Sequence, residues 1–232
     1  MSWSNCKSFS PKGRLIKKNL EITLKRCSRF LTRLSFKNLF LEYTEYKNPS
    51  IINIIANECP NLQAIDLGEF FVTKKSIELL KPNFNKVHTF RCKITDVDDE
   101  DLVNIFLQNK ILQHLKINAT QNSKSLRNFW KALPSDTLTH LQFVAKDPYL
   151  DTQAEEHYDI NFIHRFTSLK SLFLNHCMLT VEASEMMASN CLELKCVKFF
   201  CKFLAIFNSF KHSKGIINQG RLQQKFSGGG TR

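Results

Sequence analysis

Seven stretches of the chain repeat one hydrophobic frame, in which an apolar residue, two variable residues, a second apolar residue, one variable residue and a third apolar residue follow in order. The frame is filled by Leu31/Leu34/Phe36, Leu62/Ile65/Leu67, Val87/Phe90/Cys92, Leu112/Leu115/Ile117, Leu138/Leu141/Phe143, Leu169/Leu172/Leu174 and Leu194/Val197/Phe199. Its first residues lie 31, 25, 25, 26, 31 and 25 positions apart. A strand frame recurring at that period is the signature of a leucine-rich repeat. The predicted strands are Phe30–Lys37, 62–68, 86–92, 111–117, 138–144, 169–175 and 194–200.

Between the strands the apolar period changes to that of a helix. In residues 15–29, Leu15/Ile16, Leu20, Leu24 and Cys27 form one stripe with lysines and arginines opposite, so a basic helix precedes the first strand. Further helices are predicted at 51–58 behind a Ser50 cap and around 75–81, capped by Thr73 or Ser76 and closed by Pro82. Others follow at 98–109, at 124–133 behind Ser123, at 159–167 and at 181–191. Residues 145–158 form the longest insertion and account for one of the 31-residue periods. Such insertions map to surface loops. The expected organisation is an N-terminal loop and basic capping helix over 1–29, an array of about seven repeats over 30–201, and a divergent basic tail over 202–232. The composition of that tail after residue 211 predicts disorder.

Neither a short strand nor a helix of two to three turns can bury its apolar face alone, so the units must stack and share one elongated core. The predicted fold class is therefore α/β: a leucine-rich-repeat horseshoe, a right-handed β-α superhelix with parallel strands on its concave face. Side chains alternate along a strand with period two. The residue between the second and third apolar positions then points into the concavity. That row reads Ser35, Asp66, Arg91, Lys116, Gln142, Phe173 and Lys198. It makes a broad protein-binding surface rather than a pocket, with Arg91 and Lys116 as a local positive spot and Phe173 as an apolar anchor.

Composition adds two things. Twenty phenylalanines against seven glycines and six prolines favour regular elements with bulky filling. The net charge of +12 is concentrated at the ends: residues 1–37 carry +9, residues 195–232 carry +8, and residues 38–194 carry −5. A nucleic-acid protein more often carries its basic stripe on the folded body, so nucleic acid is not the expected partner. Neither a secretory start nor an apolar run long enough to span a membrane is present, which points to an intracellular protein, cytoplasmic or also nuclear, with no membrane partner.

The candidate chemistry is sparse. Of eight cysteines, Cys27, Cys59 and Cys191 each stand three or four residues before a strand-opening leucine, the place of a small buried thiol at a helix-to-strand corner. A zinc reading of Cys191, Cys196 and Cys201 fails on spacing. The acids Asp96, Asp98, Asp99, Glu100 and Asp101 suit the start of a helix. They lack the glycine and spaced glutamate of a calcium loop. His114 and His140 occupy the same place in adjacent repeats and should be neighbours, without a carboxylate or thiol in their row to complete a metal or acid–base site. Gly-rich phosphate loops, nucleophile elbows and metalloprotease helix motifs are not found, so neither an enzyme nor a cofactor is expected.

The phrase Arg26-Cys27-Ser-Arg-Phe30-Leu31-Thr-Arg-Leu34-Ser-Phe36 resembles the first repeat of the F-box and leucine-rich-repeat proteins, of the cysteine-containing repeat subtype. Glu58-Cys59-Pro60-Asn61-Leu62 resembles their repeat signature, and Trp3 resembles the tryptophan that often follows the F-box. The resemblance covers about residues 3–201. It implies the substrate-recognition part of an SCF-type ubiquitin ligase, in which an F-box binds the Skp adaptor and the concave repeats hold the substrate. No F-box stands in this sequence, because too few residues precede Trp3 to hold one. Skp and cullin are therefore expected partners only of a longer form. The alternative is a stand-alone interaction scaffold with no ligase role.

Overall fold

The computed structural model describes residues 5–40, 49–119, 126–145, 158–159, 161–175, 177–178 and 180–200. Twelve strands are present among them: β1 (Ser8–Phe9), β2 (Gly13–Arg14), β3 (Arg33–Ser35), β4 (Leu39–Phe40), β5 (Ala64–Val72), β6 (Thr89–Ile94), β7 (His114–Ala119), β8 (His140–Ala145), β9 (Tyr158–Asp159), β10 (Ser171–Asn175), β11 (Cys177–Met178) and β12 (Cys196–Phe200). The helices are α1 (Lys17–Cys27), α2 (Ser50–Glu58), α3 (Lys74–Leu80), α4 (Asp99–Phe106), α5 (Arg127–Ala132) and α6 (Val181–Asn190).

One eight-stranded sheet runs in the order β1-β3-β5-β6-β7-β8-β10-β12, and every pairing in it is parallel. Sheet order follows chain order, so each strand lies beside the one before it and the return path is helical. The helices pack in the same sequence, α1 to α5, then a 3-10 turn at Asn161–Arg165, then α6. Helices pack about 8–10 Å apart and strands about 4.8 Å apart. The helical layer is therefore the wider one, and the sheet takes the inside of the curve. This is the leucine-rich-repeat horseshoe.

The apolar frame is buried as predicted. All eighteen residues of the first six triplets are at most 4% exposed. In the seventh, Leu194 and Val197 are half-buried, since β12 has a neighbour strand on one side only among the described residues. The phenylalanines make a continuous chain of rings through the core. Phe84 meets Phe106 at 5.2 Å, Phe106 meets Phe129 at 5.3 Å, and Trp130 meets Phe143 at 5.0 Å. Their tilted and edge-on geometry is the favourable one for aromatic pairs.

Polar side chains fasten each repeat to the one before it. Asn61 Nδ2 donates to the Arg29 carbonyl at 2.8 Å, Asn83 Nδ2 to Ala56 at 3.1 Å, and Thr137 Oγ1 to Leu112 at 2.9 Å. Fully buried Asn109 donates to the carbonyls of Phe84 and Val87 and accepts from the Ile111 amide. These bonds satisfy carbonyls that the corner between helix and strand would otherwise leave bare.

Several elements depart from the sequence-based expectations. The sheet begins before the first repeat: the Lys7 carbonyl accepts from Thr32 and Arg33 amides, and β1 covers the outer edge of β3. Ser50 does not cap α2; Pro49 holds the cap position, and the Ser50 hydroxyl donates to Glu21 at 2.6 Å. Helix 98–109 stops at Phe106, which frees Asn109 for its carbonyl bonds. Ser123 lies outside the described residues, and the start of α5 is capped from the previous repeat. Asp99 accepts there from the Asn128 and Phe129 amides at 2.8 and 2.6 Å. The helix expected over 159–167 is only the 3-10 turn at Asn161–Arg165. Strand β5 is longer than expected and bulged after Asp66, because Gly68 takes a left-handed φ of +58°. Most of the insertion 145–158 and all of the tail 202–232 lie outside the described residues.

Candidate protein-binding face

The strands place the seven predicted residues in one continuous row. Ser35 pairs with Asp66, Asp66 with Arg91, Arg91 with Lys116, Lys116 with Gln142, Gln142 with Phe173, and Phe173 with Lys198. From Ser35 to Phe173 each follows a buried frame residue and precedes another, so the pleat turns it away from the helices. Ser35 to Phe173 are half-buried by their neighbours in the row, and Lys198 at the end is exposed.

The charges of the row are linked. Arg91 Nη1 lies 3.4 Å from Asp66 Oδ2, and the other carboxylate oxygen of Asp66 accepts from the Gly68 amide at 2.9 Å. The guanidinium is thus partly engaged inside the row. Its Nε is buried with no hydrogen-bond partner. Lys116 has no acid at ion-pair distance among the described residues. Burial, together with the nearby Arg91 charge, lowers its pKa from the ordinary lysine value. Lys116 is thus an unpaired cation at the middle of the row among the described residues.

Two further rows flank it. On one side stand Thr89, His114, His140 and Ser171. The rings of His114 and His140 stack with centroids 4.3 Å apart and planes 20° off parallel. Thr139 Oγ1 lies 2.9 Å from His140 Nδ1 and holds that ring in place. Burial, then the neighbouring His140 and His88, lower the pKa of His114. Stacked rings do not aim their nitrogens at a shared point, and no three His, Cys, Asp or Glu side chains converge among the described residues. On the other side stand Lys93, Asn118, Val144 and Asn175. The β5 bulge brings Glu69 into an ion pair with Lys93, and Lys93 also lies 5.8 Å from the Phe71 ring centroid. This corner was not foreseen. Its one sequence signal is a glycine directly after the frame residue Leu67, since a strand glycine often marks a bulge.

The other candidate groups serve the scaffold. Cys27, Cys59 and Cys191 are buried at the corners. Desolvation pushes their thiols up to about 11, about 12 and about 11, so they are not thiolates near neutrality. Of the proposed zinc trio, Cys191 is buried and Cys196 stands in the half-exposed sheet row, while Cys201 lies outside the described residues. The acidic cluster serves helix starts. Asp101 accepts from the Asp98 amide and pairs with Lys74 at 3.0 Å, while Asp99 caps α5. No helix among the described residues is long and apolar enough to cross a membrane.

No protein-family model matches the chain, and no curated protein matches it. Among solved structures, the chain is similar to an internalin from Listeria monocytogenes, with 15% sequence identity, 81% of this chain covered and a TM-score of 0.48. The chain spans 47% of the length of that internalin chain.

Proposed function

We propose that this chain is a protein-interaction domain whose open sheet face holds a partner protein, and that it is the substrate-recognition part of an SCF-type ubiquitin ligase. The observation that carries the first half is the row from Ser35 to Lys198, in which seven outward side chains stand in register across seven strands. A row of that length, mixed in charge and broken by one aromatic, suits an extended protein surface rather than a small molecule. Phe173 is the apolar anchor and Lys116 the charge that meets an acidic or phosphorylated segment of the partner. The ligase half is supported by the resemblance of the Cys27 and Cys59 phrases to F-box repeat proteins. Cys27, Cys59 and Cys191 fill equivalent buried corners.

The test is affinity capture with the chain as bait, followed by the same capture with Lys116→Glu combined with Phe173→Ala. Loss of the captured protein, with an unchanged thermal midpoint, supports the face as the binding site. Capture that survives this pair but is lost on deleting 145–158 moves the partner to the insertion. For the ligase half, a longer form carrying an F-box should bind purified Skp adaptor, and the present chain alone should not. Failure of the longer form to bind leaves the stand-alone scaffold as the reading.

A further inference from the structure

Away from the row, at the rim where the strands begin, lies a groove of about 460 Å³. It is built from separate parts of the chain, and three of its lining residues are Lys7, Arg29 and Lys86. No carboxylate lines it. Lys7 and Arg29 have no acid at ion-pair distance among the described residues, and Lys86 spends one donor on the Pro60 carbonyl at 3.2 Å. The walls are fixed by their own bonds. Thr32 Oγ1 donates to the Lys7 carbonyl, and Asn61 Nδ2 donates to the Arg29 carbonyl. The cations are therefore carried on a braced backbone.

Three cations that line one groove with no carboxylate in its lining favour an anion there. A single carboxylate would leave two positive charges uncompensated. A phosphate, with nearly two negative charges and three acceptor oxygens, matches better, and the guanidinium fork of Arg29 suits its geometry. Two other lining features complement a peptide. Gln63 offers a side-chain amide to a passing backbone, and the ring of Phe30 is 38% exposed beside Arg29, a seat for a neighbouring apolar side chain.

A nucleic-acid strand would need cations that track its backbone. The rim does not supply them. After Gln63 the rim row runs through His88, Gln113 and Thr139 before its next lysine, Lys170, which is paired with Glu193 at 3.4 Å. The cations of the rim therefore do not form an unbroken track.

We propose that this groove docks a phosphorylated segment of a protein partner. The proposal is independent of the sheet-face reading, because the groove shares no residue with the Ser35–Lys198 row.

The experiment titrates the full chain with a short peptide containing phosphoserine followed by leucine, with its unphosphorylated twin, with inorganic phosphate and with an oligouridylate, and reads side-chain amide and arginine signals by NMR. The phosphopeptide is expected to bind at least about tenfold tighter than the twin or free phosphate, moving Asn61, Gln63 and Arg29. Lys7→Ala combined with Arg29→Ala should weaken it by at least about tenfold, and Arg29→Lys by less, since charge is kept and the fork is lost. Lys116→Glu should leave it unchanged. Equal binding of free phosphate, tighter binding of the oligouridylate, or indifference to the double substitution would each overturn the proposal. A shift at Arg91 and Gln142, the neighbours of Lys116 in the row, instead of Asn61 would return the phosphopeptide to the sheet face. The Lys7 and Arg29 variants replace exposed side chains, and unchanged circular dichroism confirms that the fold of every variant is intact.

Discussion

Asp66 stands between two demands: one carboxylate oxygen faces Arg91 Nη1 at 3.4 Å, and the other accepts from the Gly68 amide at 2.9 Å. The same side chain therefore sets the charge of the row and holds the bulge of β5. Asp66→Ala should cost about 1–3 kcal/mol, because it strips the bulge of its acceptor and leaves a half-buried guanidinium without a partner. Arg91→Ala should cost less, since Asp66 then keeps its bond to Gly68. Urea denaturation midpoints of the two variants decide this. An equal loss in both would mean that the ion pair, and not the bulge, is what Asp66 supports.

Leu115 and Lys116 are adjacent and face opposite ways. Leu115 is 2% exposed within the core, so Leu115→Ala should cost about 2–5 kcal/mol by loss of contact and cavity formation. Lys116→Ala should stay within about 0.5 kcal/mol, since a cation with no acid beside it is removed from the side of Arg91. Similar denaturation midpoints for the two variants would show that the strand frame is misplaced by one residue.

What could be read from the sequence followed from its periodicity. The triplet frame located seven strands of the main sheet, and alternation within the frame located the row from Ser35 to Lys198. What could not be read depends on contacts across repeats. Strand β1 is only two residues long and carries no period of its own. The cap of α5 comes from Asp99, about thirty residues upstream, where local reasoning looked to Ser123. At Gly68 a Cβ would lie 2.5 Å from the Phe36 carbonyl oxygen, a close approach that only the folded neighbour reveals. The rim groove joins Lys7, Arg29 and Lys86, three cations that in the sequence look like ordinary solvated charge.

Asn109 shows how a corner residue can be read once its contacts are known. It stands three residues before Leu112, as Cys59 stands before Leu62 and Cys191 before Leu194. Where the cysteines fill that corner with a thiol, Asn109 fills it with hydrogen bonds at 2.7, 2.8 and 3.0 Å. Asn109→Ala should cost about 2–3 kcal/mol, because the Phe84 and Val87 carbonyls lose their side-chain donor and the Ile111 amide its acceptor. Asn109→Cys should not recover that loss, despite copying the other corners, since a thiol is a weak donor and a weak acceptor. Thermal unfolding of both variants gives the answer. Full stability in the cysteine variant would show that volume, and not bonding, is what the corner requires.

His114, whose ring stacks on His140, makes stability depend on pH. The pKa of His114 in the folded chain lies below its ordinary value of 6.5, held down by burial and by the neighbouring His140 and His88. The adjoining row of the sheet carries the cations Arg91 and Lys116, with Asp66 engaged by Arg91. As pH falls below about 6.5, the unfolded chain takes up a proton at this histidine and the folded chain does not. The unfolded state then binds more protons, so stability falls with falling pH until the folded group titrates as well. The contribution is complete above the unfolded pKa and is lost below it. His114→Gln keeps a polar side chain in the row and removes the titration. Denaturation midpoints at pH 7.5 and pH 5.5 should therefore differ more for the natural chain than for His114→Gln. The same pH dependence in both would place the titration that matters at another residue.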